Sequence, residues 1–284
     1  MHRDEPCISI FDSVTQGGDA VWEGLRLYEH GLIALDRHLD RLRDSAHALW
    51  FECVPDRAYI KEALYKVLVA NEMTSGVHIR LTLTRGVKIT SGMDPRLNQS
   101  GCTLLILPEY KEPVYASSGI RVITSAIRRN GPQYLDSKIH HNNLLNNIQA
   151  KLQANRADAD AALMLDDRGF ASELHGTNIF SIKNGQVFTP YAHACLPGIT
   201  RGLVMEIAKN NGHMIQEKNL SLTELYTADE VFTTGTMGEL TPVIEIDGRV
   251  IENNYSDKTF DRINSWFKGS IETYCTPLSQ LTSP

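Results

Sequence analysis

"LDSKIHHNNLLNNIQAK", residues 135–151, poses the central question of this chain. Lys138 stands beside His140, His141 and a row of asparagines, just ahead of a run in which Leu144, Ile148 and Leu152 recur at i, i+4 and i+8. That spacing predicts a helix with one buried apolar stripe. A lysine at a helix start is ordinarily a solvated surface residue, yet the helix macrodipole is positive at that end. A partly buried Lys138 there would be driven toward its neutral amine, the form that Schiff-base chemistry requires. The local sequence permits a nucleophile at Lys138 without demanding one.

Outward from this stretch the chain divides near residue 115. The reading places one unit at residues 1–114, a linker at 115–119 within the polar, proline-containing stretch "KEPVYASSG" (111–119), and a second unit at 120–284. The first opens on "CISIFDSV" (7–14), which alternates like a strand. Two strands then flank the hairpin signal "EHG" (29–31). Helical spacing follows from Asp36 to Leu49 and again over "RAYIKEALYKVLVANEM" (57–73). "VHIRLTLTRG" (77–86) and "GCTLLILPEY" (101–110) close the unit as strands. The second unit begins with the strand "IRVITSAIRR" (120–129). Several short β-rich runs follow, broken by Gly, Asn and Asp turns, with helices over "GLVMEIAKNNGH" (202–213) and "DKTFDRINSWFKGSIETY" (257–274). "TPLSQLTSP" (276–284) reads as a frayed tail. Strands and helices grouped in this order predict an α+β fold.

Composition narrows the function classes. A net charge of −6 argues against a broad basic nucleic-acid surface. No stretch of 18 apolar residues is present to span a membrane, and the N-terminus lacks the apolar core of a secretory signal. Cys7, Cys53, Cys102, Cys195 and Cys275 have no metal-ligand spacing, and their sparse, odd number fits a reducing, cytoplasmic setting. No metal site is expected.

Six stretches, in order, give the chemistry a direction: "VWEGLRLY" (21–28), "RHLDRL" (37–42), the lysine before "IHHNNLL" (139–145), "ELHGTNIF" (173–180), "LPGITR" (196–201) and "GTMGELTPV" (235–243). Together the chain resembles the fold-type IV pyridoxal-phosphate enzymes, the class IV aminotransferases, and among them the branched-chain type. The resemblance implies a small α/β domain, a larger pseudo-barrel domain and a homodimer with active sites at the domain and subunit boundaries. It implies pyridoxal 5′-phosphate as cofactor, and amino acid and keto acid substrates. By the same resemblance Lys138 is the Schiff-base lysine and proton carrier. Glu173 pairs with the pyridinium nitrogen, Asn178 lies in the same cofactor motif, and Arg41 binds phosphate. "LPGITR" also has a physical reading. Pro197 and Gly198 make a turn, and the N–H groups of Ile199 and Thr200 then lie at a helix N-terminus suited to phosphate. The alternative is a simple cap by Thr200. Thr236 would add a hydroxyl to the phosphate, and the Met237–Gly238 turn would offer N–H groups to a substrate carboxylate.

Trp22, Arg26, His78 and Arg80 fall where branched-chain enzymes line the substrate pocket, with His78 in place of a tyrosine. Lys88 and Arg96 are extra candidates for an acidic co-substrate. Asn143 replaces the tyrosine usual five positions after the lysine. His140 and His141 replace small residues. The reading implied is transfer of an amino group from a branched-chain type L-amino acid to 2-oxoglutarate. The alternatives are a D-amino acid or (R)-amine transaminase, an aminodeoxychorismate lyase, or a non-catalytic cofactor-binding protein.

Overall fold

Alternating apolar residues early in the chain build an antiparallel sheet. In the computed structural model, which describes residues 5, 7–251 and 258–282, the chain forms two compact units. The first comprises Met1–Tyr110, Ile139–Asn143 and Cys275–Pro284, and the second Lys111–Lys138 and Leu144–Tyr274.

"CISIFDSV" is not a strand. The Asp12 carboxylate accepts from the Val14 N–H at 3.0 Å and caps a one-turn helix, α1 (Ser13–Gly17). Side-chain capping outcompetes a ladder that has no long partner. Then come β1 (Ala20–Tyr28), β2 (Gly31–Ile33), α2 (Leu35–Ala48), α3 (Arg57–Ala70), β3 (Val77–Thr84) and β4 (Thr103–Tyr110). In β1 the residues Val21, Leu25 and Leu27 face one side, with Ile79, Leu81 and Leu83 of β3 beside them. Leu35, Leu39, Leu42 and Ala46 of α2, and Ile60, Leu64 and Leu68 of α3, cover that face at helical spacing. Asp56 starts α3 by accepting from the Tyr59 N–H at 2.7 Å.

The second unit carries β5 (Ile120–Thr124), α4 (Leu145–Arg156), β6 (Ala161–Leu165), β7 (Ala171–Leu174), β8 (Asn178–Lys183) and β9 (Gln186–Pro190). After them come α5 (Ile199–Asn210), β10 (Ile215–Lys218), α6 (Leu222–Tyr226), β11 (Glu230–Gly235), β12 (Glu239–Ile246), β13 (Arg249–Val250) and α7 (Thr259–Ser270). The sheet order is β10-β9-β8-β11-β12-β5-β6-β7, with β13 on β12. β5–β6, β5–β12 and β9–β10 are parallel and the other pairs antiparallel. β7 ends the order, yet only three residues separate it from β8 in the middle, and the Leu174 N–H donates to the Thr177 carbonyl at 2.8 Å. The sheet is therefore curled. Helix α6 has a readable signal, the capping box Ser221–Glu224.

Helix α4 corrects the expected buried stripe. Of that stripe, Leu144 is the half-buried N-cap and Ile148 and Leu152 are 54% and 53% exposed; the neighbouring Leu145 is 72% exposed, while Asn147, Ala150 and Ala154 face inward. The strands under α4 come close, and only small side chains fit between.

The tail is also corrected. Cys275–Thr276 form β14, which pairs with β2, and Leu281 is buried in the first unit's core. Gly31 sits at φ +127°, and a Cβ there would lie 2.1 Å from the Thr276 carbonyl oxygen, so the strand can approach only a glycine. Leu281→Ala is expected to destabilise the protein by about 2–4 kcal/mol, measured by chemical denaturation. An unchanged midpoint would show that this tail contributes nothing to the core.

Candidate active site

In the first unit, β1 and β3 pair so that Trp22 lies opposite Thr82, Gly24 opposite Arg80 and Arg26 opposite His78. These six share one face by the two-residue period. The Arg80 guanidinium lies 3.9 Å from the Trp22 ring centroid, and its Nη2 donates to the Asn142 Oδ1 at 2.6 Å. Burial lowers the Arg80 pKa without neutralising it. His78 places its Nδ1 3.2 Å from the Leu25 carbonyl. Arg26 is buried, with its guanidinium 6.0 Å from the Tyr28 ring.

The start of β1 has no β2 partner on its outer edge. The segment Ile139–Asn143 takes that place. The Trp22 N–H donates to the His140 carbonyl at 2.9 Å, the Asn142 N–H to the Ala20 carbonyl at 2.9 Å, and the Trp22 indole to the His141 carbonyl at 3.2 Å. The His140 ring packs 4.1 Å from the Trp22 ring. Asn143 is exposed and donates to the Gly18 carbonyl at 2.9 Å.

On the opposite face of β1, Glu23 is fully buried against α2. Its Oε1 accepts from the Arg41 Nε at 2.8 Å, and its Oε2 from the Arg41 Nη2 at 2.7 Å. His38 Nδ1 lies 2.7 Å from Oε2, and His140 Nδ1 lies 3.2 Å from Oε1. Arg41 is thus no solvated helix arginine but half of a buried ion pair. Burial works against ionisation of Glu23, but His140 and Arg41 outweigh it and hold the carboxyl well below the usual range. Burial pushes His140 down to about 4, beyond what Glu23 restores. Near neutral pH the pair is Glu23⁻ and Arg41⁺, with His140 a neutral imidazole. Sequence reasoning missed Glu23 and His38. The available signal was an acid at a core-facing position of "VWEGL", opposite the helix of "RHLDRL".

In the second unit, Glu173 ends up buried near the end of β7. Its Oε1 accepts from the Arg129 Nε at 2.6 Å and the Leu196 N–H at 3.3 Å, and its Oε2 from the Asn178 Nδ2 at 3.2 Å. Asn178 also donates to the Leu196 carbonyl at 3.0 Å. A Cβ on Gly198 would strike the Asn178 Oδ1 at 2.0 Å, so the turn into α5 needs glycine. Glu173, Asn178, Ile199 and Thr200 are therefore joined through one turn. Gly198 is the N-cap of α5 and no side chain caps it; Thr200 lies inside the first turn and is not the cap. Thr236, Met237 and Gly238 form the turn between β11 and β12, and β11 pairs with β8 so that Thr234 lies opposite Asn178. The Thr234 hydroxyl and the Arg129 Nη1 are buried without a protein partner. Arg129 was missed, because nothing in "AIRRNGP" distinguishes it from Arg128.

Lys138 is not at a helix mouth. The helix begins at Leu145 with Leu144 as N-cap. Lys138 is exposed in the preceding loop, where its N–H donates to the Asp136 carboxylate at 3.0 Å. The expected push from a helix dipole therefore does not act on it. The Ser137 hydroxyl closes this loop on the Asn130 carbonyl at 2.5 Å, next in sequence to Arg129. Lys88 donates to the Gly92 carbonyl at 2.5 Å within its own loop, and Arg96 is bound to Asp94. Among the described residues, no three His, Cys, Asp or Glu gather as metal ligands.

An anion of this kind, an uncapped helix N-terminus and buried unpartnered donors are suited to a phosphorylated, protonatable ring. A pH dependence of stability follows. His140 and His175 are both held at about 4, each mainly by burial, against an ordinary 6.5. The unfolded chain takes up these protons first, so this stability is complete above pH 6.5 and is lost as the pH falls toward 4. For His140 the loss is roughly 3 kcal/mol. Denaturation midpoints measured from pH 7 to 4 should fall, and His140→Asn should flatten the slope. Equal slopes in the two proteins would contradict a neutral, buried His140.

Comparison with known proteins identifies the family. A family model for amino-transferase class IV matches residues 20–246. Branched-chain-amino-acid aminotransferase-like protein 2 of Arabidopsis thaliana is 54% identical over 94% of this chain and 48% of the relative. This chain spans about half the length of the Arabidopsis relatives it matches. A putative branched-chain-amino-acid aminotransferase of Methanocaldococcus jannaschii is 39% identical over 92% of this chain and 90% of its own. A solved T.th. branched-chain amino acid aminotransferase, complexed with N-(5′-phosphopyridoxyl)-L-glutamate, superposes with a TM-score of 0.89 at 29% identity, covering 98% of this chain and 95% of that one. The family match and the relatives at this identity carry one conclusion: this chain belongs to the class IV aminotransferases.

Proposed function

We propose that the chain is a pyridoxal-phosphate-dependent aminotransferase that moves an amino group from a branched-chain type L-amino acid to 2-oxoglutarate. The observation that carries this reading is the buried Glu173 carboxylate, held by Arg129 and Asn178 beside the uncapped start of α5. Pyridoxal phosphate, when bound, supplies an aldehyde that condenses with amines and a ring that takes up electrons from the substrate α-carbon. Glu173 holds a proton on the ring nitrogen, and Asn178 and Arg129 keep that carboxylate in place. The Ile199 and Thr200 N–H groups and the Thr236 hydroxyl bind phosphate, with Arg41 assigned to the same group by family correspondence. The Lys138 amine binds the cofactor and carries a proton to and from the substrate α-carbon. An exposed loop position leaves that amine able to move.

For the substrate, we assign Met237 and Gly238 to the α-carboxylate and Trp22 to an apolar side chain, with Arg26 and His78 flanking. Arg80 offers a second carboxylate a fork of donors once it releases Asn142. The exposed stripe Leu145, Ile148 and Leu152 supports a homodimer as the assembly. The free cysteines support a reducing, cytoplasmic setting.

Lys138→Ala should abolish transamination while leaving the thermal midpoint unchanged. Even a few per cent of wild-type turnover would move the role to another lysine. Arg80→Leu should raise the Michaelis constant for glutamate or 2-oxoglutarate by about tens-fold, as expected for an acid losing a charged partner in a poorly hydrated site. It should change that for leucine far less. A uniform loss would instead place Arg80 at the shared α-carboxylate. Half-reactions with paired L- and D-leucine test the stereochemistry, and preferred consumption of the D form would replace the L reading.

A further inference from the structure

The first unit holds a second reactive feature that the aminotransferase reading does not use. Cys53 lies in the loop between α2 and α3, and Cys102 immediately precedes β4. The two segments meet. A Cβ built on Gly101, the residue before Cys102, would lie 3.7 Å from the Cys53 Cβ, so the two cysteines stand on touching segments. Both cysteines line one surface cavity of about 660 Å³, with Trp50, Arg85 and Arg96 in the same wall. Cys53 is exposed and Cys102 half-buried, and both are free thiols.

We propose that Cys53 and Cys102 form a dithiol site that reduces a small hydroperoxide and closes to a disulfide. The Cys53 thiolate attacks the terminal peroxide oxygen. An S–O bond forms, the O–O bond breaks, and with hydrogen peroxide the departing hydroxide takes the proton that Cys53 gave up and leaves as water. Cys53 is then a sulfenic acid. The Cys102 sulfur attacks the Cys53 sulfur, the S–O bond breaks, and hydroxide leaves with the Cys102 proton as a second water. Two thiols have lost two electrons and two protons, and the peroxide has been reduced by two electrons.

The order of attack follows from the surroundings. Cys53 is open to solvent, so the peroxide reaches it first. Burial, with a smaller push from Cys53, raises the Cys102 thiol to about 11, while Arg85 opposes the rise. Cys102 thus stays protonated in the resting protein and serves as the resolving partner. Closure would tie the loop after α2 to the end of the β3–β4 connection. That connection leads away from the strand that carries Arg80.

The test treats the full chain with a small excess of hydrogen peroxide, alkylates remaining thiols after denaturation, and maps peptides by mass spectrometry. The expected product is an intramolecular Cys53–Cys102 disulfide, about 2 Da lighter and reversed by dithiothreitol. In Cys102→Ser, Cys53 should stop at a sulfenic acid that dimedone traps. In Cys53→Ser, Cys102 should stay alkylatable, oxidising at least about ten-fold more slowly than Cys53 does in the wild type. Cys102→Ala replaces the serine variant if a half-buried hydroxyl unfolds the strand. Cys7 and the buried Cys195 serve as exposed and buried references in the same digest. Overoxidation of Cys53 beside an alkylatable Cys102 in the wild type would overturn the proposal. So would a disulfide joining any other pair.

Discussion

A carboxylate taken out of water must find donors or lose its charge. Each unit is built around one that keeps it. In the first unit Glu23 receives both forks of Arg41, with His38 and His140 at its remaining edges. In the second, Glu173 receives Arg129, Asn178 and a main-chain N–H. Removing one partner from such a pair costs about 3–5 kcal/mol, because the other charge is left stranded. The pairs therefore set which rotamers and which loops the surrounding chain can adopt. Glu23 seats α2 on β1. Glu173 fixes the turn through Leu196 into α5, and with it the open helix N-terminus at Gly198.

The segment Ile139–Asn143 turns a neighbour in sequence into a neighbour in space. Its main chain fills the outer edge of β1, which β2 is too short to cover. An open edge is a liability for a sheet. Here the cover also brings side chains to both faces of β1. His140 reaches Glu23 and packs on Trp22, and Asn142 holds Arg80 over the same indole. A small residue at 140 would keep the main-chain bonds and lose the imidazole contacts.

Much of this was legible in one dimension. The apolar periods of α2 and β3, the "EHG" hairpin and the order of six short motifs are each local. A period of 2 or 3.6 is a property of the backbone that a sequence carries on its own. Those signals identified the α+β architecture, and the motif order pointed to the class IV family. Glu173, Asn178 and "LPGITR" were recognised as a group by those motifs. Their joining through one turn is a property of the folded unit.

What the tertiary structure alone decided has a common cause: partners distant in sequence. The helical period put Leu144, Ile148 and Leu152 on a stripe; Leu144 proves to be the N-cap, and Ile148 and Leu152 face out. Whether that stripe faces in or out depends on how closely α4 lies on its strands, and there the helix turns Ala150 and Ala154 inward. The tail reads as polar and short, yet Leu281 finds a core that residues 21–83 assemble. Lys138 looked like a helix-mouth lysine, but the helix begins seven residues later, at Leu145. Arg129 carries no periodic or motif signal, and the core-facing position of Glu23 does not name its partner, because a buried charge is defined by the opposite charge that meets it. That meeting is set by the packing of whole elements. The sequence by itself determined most of the elements, their order and the family. The folded chain decided which faces are buried, which charges are paired and where the lysine loop ends, because each of those depends on contacts between residues far apart in the chain.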